Sequence, residues 1–200
     1  MSAIRSVCVY CGSQGGRDAA YVRTAFSLGA ALAEQGIRLV YGGGARGVMG
    51  AVAQGALSAG GEVTGVIPRF LIAKETMESW LEKLDQTVLT EDMHARKHAM
   101  FERSDAFVAL PGGIGTLEEI VEVMTWGQLA RHRKPIAFYN VAGYWDPMLA
   151  LLDHMRAEGF VHTQSLVRPI VADSPDGLIA ALRAALPDRR EAGEAAVERL

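Results

Sequence analysis

The residues most able to do chemistry lie in one stretch, Pro111-Gly-Gly-Ile-Gly-Thr-Leu-Glu-Glu119. Glycines lack a Cβ, so the main-chain N–H groups of such a turn can close on an anion, and a helix starting there adds a partial positive charge. Thr116 followed three residues later by Glu119 has the spacing of a capping box, which predicts a helix beginning at Thr116. Glu119 then falls in the first helical turn, where the dipole favours its ionised form. An ionised carboxylate in that position suits a base or a cation stabiliser, close to any phosphosugar cradled by Gly112 to Thr116.

A second stretch, Asp92-Met-His-Ala-Arg-Lys-His98, is helical by spacing. Arg96 and Lys97 put two cations beside an apolar face of Met93, Met100 and Phe101. They form either a solvated basic face or the partners of an anion held on the glycine turns. His94 and His98 share a helical spacing, but the acid of H-E-x-x-H is absent and no metal site is expected. Cys8-x-x-Cys11 begins inside a strand pattern, which favours packing over redox or zinc chemistry. Gly42-x-Gly44-x-x-Gly47 matches a dinucleotide fingerprint, yet Glu62, the acid at the right distance, opens a strand instead of closing one. A nicotinamide site is therefore disfavoured, and no P-loop motif exists.

Short β-branched and apolar runs recur at 4–10, 37–41, 63–67, 87–89, 106–110, 136–139 and 166–171, separated by segments of helical spacing such as Tyr21, Ala25, Leu28 and Leu32. Alternating strands and helices predict an α/β fold: a doubly wound, mostly parallel sheet of about seven strands in one domain, 1–186. Residues 187–200 lose the apolar periodicity and read as a polar tail. In such a sheet ligands bind beyond the carboxyl ends of the strands. The three glycine clusters occupy those ends: Gly12-Ser13 with Gly15 and Gly16, Gly42-Gly43-Gly44, and Gly112-Gly113 with Gly115. Each alone could be a tight turn; three on one edge point to a phosphorylated ligand.

Composition narrows the partners. Of 200 residues, 50% are hydrophobic and 22% charged, which excludes a disordered chain. A formal charge of −3 gives no basic field for nucleic acid or an anionic membrane, and no apolar run is long enough to span one. The N-terminal residues show no signal-peptide pattern and two cysteines make no disulfide framework, so a cytoplasmic protein is expected.

Pro111-Gly-Gly-x-Gly-Thr-x-x-Glu119, with Met93-x-x-Arg96-Lys97 upstream, resembles the Lonely-guy family of cytokinin riboside 5′-monophosphate phosphoribohydrolases. Cys11-Gly12-Ser13, the Gly42–Gly50 cluster and Ile67-Pro68 extend the resemblance from residue 4 to about 180. It implies a Rossmann-like fold, a homodimer, and hydrolysis of the N-glycosidic bond of an N6-substituted AMP to free base and ribose 5-phosphate, with no metal or cofactor. On this resemblance Arg96 and Glu119 are the catalytic pair. Glu75, Lys97, Gly113, Ile114, Gly115, Thr116, Glu118 and Thr125 contact substrate, with Gly12, Ser13, Gly43, Gly44, Met93 and Gly112 around them. The family has also carried the label lysine decarboxylase, a chemistry needing a pyridoxal phosphate site that no lysine here is set in. Two rivals are a non-catalytic nucleotide or molybdenum-cofactor carrier, and an interaction scaffold using the apolar faces of 93–101 and 117–129.

Overall fold

A computed structural model describes residues 3–161 and 168–186. The 187–200 tail and part of the 166–171 run lie outside the described residues. Seven strands form one sheet: β1 (Ser6–Tyr10), β2 (Arg38–Tyr41), β3 (Val63–Pro68), β4 (Gln86–Thr90), β5 (Ala106–Ala109), β6 (Ile136–Tyr139) and β7 (Ile170–Ala172). Their order is β4-β3-β2-β1-β5-β6-β7, and every pairing among the described residues is parallel. The chain winds outward from β1 in one direction and from β5 in the other, which makes the gap between them the topological switch point.

Alternation along the strands divides the core. Val7 and Val9, Leu39 and Tyr41, and Val108 face helices α1 (Ala19–Glu34), α2 (Gly47–Ser58) and α8 (Pro175–Ala184). Cys8 and Tyr10, Val40, Phe107 and Phe138 face α5 (Met93–Glu102), α6 (Ile114–Gln128) and the Trp145 corner before α7 (Asp146–Ala157). The five inner strands, β1, β2, β3, β5 and β6, are buried on both faces apart from Arg38, which is why they read as unbroken apolar runs. Cys8 and Cys11 fall in opposite layers, both buried and free, so the C-x-x-C spacing serves packing. Two short helices, α3 (Ile72–Glu75) and α4 (Glu78–Leu81), fill the link from β3 to β4.

Helix starts follow local capping. Asp18 accepts from the Ala20 amide at 2.8 Å and Asp92 from the Ala95 amide at 2.7 Å, opening α1 and α5. The capping box expected at Thr116 does not form. Helix α6 starts at Ile114 behind Gly113, which has no side-chain cap, so Thr116 and Glu119 both lie inside the helix. The pattern of Thr116 and Glu119 is met one turn too late because Gly113 in an extended conformation already turns the chain into helix. Glu62 immediately precedes β3 and spends its carboxylate on Arg38 at 2.8 Å, at the edge of the sheet opposite the carboxyl ends of the strands.

Candidate active site

Loops from β1, β2 and β5 meet at the switch point and are tied to one another by main-chain bonds. The Gly12 amide donates to Pro111 O at 3.1 Å, the Met49 amide to Gly12 O at 3.0 Å, and the Ala45 amide to Glu75 O at 3.0 Å. They enclose a cavity of about 190 Å³ that is lined by Gly12, Ser13, Gly42, Glu75, Met93, Arg96, Gly113, Gly115, Thr116, Glu118 and Glu119, among others. Most residues expected at a site therefore do converge, from four separate segments of the chain.

Arg96 is the pivot. Its guanidinium is buried, donating from Nε to Val66 O at 3.2 Å and from Nη2 to Gly42 O at 3.1 Å, with Glu75 Oε2 3.9 Å away. That pose requires Gly42: a Cβ there would occupy the space of the guanidinium. Glu75 Oε2 is buried and has no hydrogen-bond partner among the described residues, which leaves an acceptor unused at the cavity wall.

Glu119 is 8% exposed and lines the same cavity. Burial is the main cause that pushes its carboxyl up to about 7; Arg96 and Lys97 oppose the shift, while Glu118 and Glu75 add to it. Glu119 is therefore not held fully ionised by the helix dipole: it sits in the second turn, and burial dominates. A carboxyl balanced near neutrality is well matched to proton transfer.

The glycines divide by cause. At Gly112 a Cβ would strike Thr116 Oγ1 and the Gly12 main chain, so the fold itself demands glycine. At Gly113 and Gly115 a Cβ would meet nothing within 4 Å, and neither has positive φ. Glycine there leaves the cavity wall without side chains at the start of α6, where the first N–H groups lack helical acceptors.

Several expected residues lie elsewhere. Gly43 packs on Ile67 and Gly44 on Met49, shaping the turn without lining the cavity. Gly112 lines a neighbouring cavity with Tyr21 and Tyr144. Ile114 is 81% exposed, and Thr125 is exposed with its hydroxyl on Val121 O, so neither reaches this cavity. Lys97 turns from the cavity to Glu118 and Glu122. Gly42 and Cys11, which the sequence placed in motifs but not at the site, also line it, as does Leu71, which the sequence missed. Burial pushes the Cys11 thiol well up, which removes it as a nucleophile. Gly42 was legible as part of the triple glycine; Leu71 carried no signal because its segment has no repeating pattern. Among the described residues no cluster of three or more metal-ligating side chains occurs, and no helix is long and apolar enough to cross a membrane.

Fold and cavity together define a Rossmann-like α/β protein with a glycine-lined cavity that holds a buried arginine and three carboxylates. Residues 49–182 match the family described as "Possible lysine decarboxylase". A "Probable cytokinin riboside 5′-monophosphate phosphoribohydrolase" of Oryza sativa subsp. japonica is 46% identical over 84% of this chain and 74% of its own length. The cytokinin riboside 5′-monophosphate phosphoribohydrolase of Rhodococcoides fascians is 43% identical over 90% of this chain and 89% of its own. The chain belongs to the Lonely-guy family of these phosphoribohydrolases. Among solved structures, the molybdenum cofactor binding protein of Rippkaea orientalis matches with a TM-score of 0.68 and 21% identity, covering 94% of this chain and 100% of that one; it shares the fold.

Proposed function

We propose that this protein hydrolyses the N-glycosidic bond of an N6-substituted adenosine 5′-monophosphate, or of AMP, releasing free base and ribose 5-phosphate. The observation that carries the reading is the bare Gly113–Gly115 turn opening onto a cavity that also holds Arg96, Glu75 and Glu119. The 5′-phosphate takes the amides at the start of α6 with Ser13 and Thr116, and the unused Glu75 oxygen accepts from a ribose hydroxyl. Cleavage develops positive charge on the ribose and negative charge on the leaving base. Glu119, ionised in its active form, stabilises that cation or takes a proton from the attacking water. Arg96 stays charged throughout and acts by hydrogen bonding and electrostatics. The phosphate grip, remote from the broken bond, supplies positioning energy.

A homodimer is part of the proposal. Val121, Thr125 and Leu129 continue one exposed face of α6 from Ile114 and Glu118 at the cavity mouth, and Leu129 is 66% exposed. Thr125 on that face would meet substrate only across such an interface. A cytoplasmic setting fits the two free, buried thiols.

The test is incubation of pure protein with AMP and N6-isopentenyladenosine 5′-monophosphate, followed by chromatography. Free base is expected, with Glu119→Ala slower by on the order of 10²–10³. Tight binding with the nucleotide recovered intact would instead mark a carrier.

A further inference from the structure

The resemblance puts Lys97 against substrate, but its side chain is 8% exposed and its ammonium is held by Glu118 and, at 3.1 Å, by Glu122, one turn apart on α6. Only Glu118 of the three lines the catalytic cavity, where it neighbours Gly115 and Thr116 as well as Glu119. An unmasked Glu118 would confront both the incoming phosphate and the catalytic carboxylate with a like charge. Arg96, the other cation of α5, cannot serve it, being bound to Val66 O and Gly42 O with Glu75 nearby.

We propose that Lys97 is a positioning residue: it masks Glu118 at the mouth of the anion site, so that a carboxylate-bearing helix can receive a phosphorylated substrate. The proposal rests on the phosphoribohydrolase reading for its substrate. Burial opposes the Lys97 charge, yet its hydrogen bonds to Glu118 and Glu122 outweigh that cost and hold the ammonium above its usual range. The charges that act on Glu119 are Arg96 and Lys97 from α5, Glu118 from its own helix and Glu75 from α3. Lys97 therefore acts on the site twice, by cancelling Glu118 and by favouring ionised Glu119. A cation touching the phosphate directly would do neither through Glu118.

The experiment compares wild type, Lys97→Met and the double variant Lys97→Met with Glu118→Gln. It measures steady-state release of base from N6-isopentenyladenosine 5′-monophosphate and calorimetric binding of ribose 5-phosphate. Masking predicts that Lys97→Met raises KM and the ribose 5-phosphate Kd on the order of tenfold, more at low salt, with a smaller loss in kcat. The acidic limb of its pH profile moves upward, and the double variant gains affinity over Lys97→Met and brings the limb back down. A double variant as weak as the single one overturns the proposal, since Lys97 would then touch the ligand itself. Unchanged affinity in Lys97→Met overturns it too. Should the single variant not fold, Lys97→Gln, which keeps a hydrogen-bond donor for Glu122, replaces it in the same comparison with its own Glu118→Gln double variant. If wild type releases no base, the functional reading fails, and ribose 5-phosphate binding still judges the masking; no binding by wild type overturns it as well.

Discussion

Glu119 shows what a spacing can and cannot convey. Its place beside a glycine turn was legible from Gly-x-Gly-Thr-x-x-Glu, but its protonation was not, because burial and the charges of Arg96, Lys97 and Glu75 come from other elements. The raised carboxyl has a consequence for stability. The unfolded chain loses this proton near the ordinary value of 4.5 and the folded chain near about 7, so stability falls as pH rises between them and levels off above. Glu119→Gln removes that cost. It is expected to raise stability by about 2–3 kcal/mol at pH 8 and to bring no gain below pH 4, as denaturant titrations at both pH values would show. A variant less stable than wild type at pH 8 would mean that the carboxyl is ionised at no net cost. In the active protein, kcat/KM should climb with pH to a plateau above about 7, since the ionised form does the work.

At the scale of elements, the sequence located six of the seven strands to within a residue or two and misplaced the start of α6. Strand runs are legible because a doubly covered parallel sheet buries both faces. The start of α6 was not, because Gly113 enters the helix without a side-chain signal. The turn makes a paired prediction. Gly113→Ala adds a Cβ to open space at φ −92°, so the melting temperature should barely move, while the KM for a monophosphate rises on the order of tenfold as the methyl intrudes on the cradle. Gly112→Ala drives a Cβ into Thr116 and the Gly12 main chain, and should destabilise by about 1–3 kcal/mol. Thermal unfolding and steady-state kinetics of both variants separate a glycine kept for ligand from one kept for packing.

The whole molecule follows from βαβ winding. Two sets of loops diverge at β1 and β5, and the residues that meet there come from the strand ends and from the helices that follow them. That rule pointed to this edge of the sheet from the glycine clusters, although Gly43, Gly44 and Gly112 do not line the cavity. Association was less legible, since an apolar helical position reads alike whether it faces the core or a second copy. Sedimentation should give a species near twice 21.5 kDa, and charges at two exposed positions of α6, Val121→Asp with Leu129→Asp, should shift it to monomer. Wild type sedimenting as a monomer would contradict the dimer. The central claim, that an anionic sugar gripped by the α6 amides is cleaved beside Glu119, is tested most directly by comparing N6-isopentenyladenosine with its 5′-monophosphate as substrates. Because the phosphate supplies the positioning, base release from the monophosphate should exceed that from the riboside by at least about 10³ in kcat/KM. Equal rates from the two would contradict it.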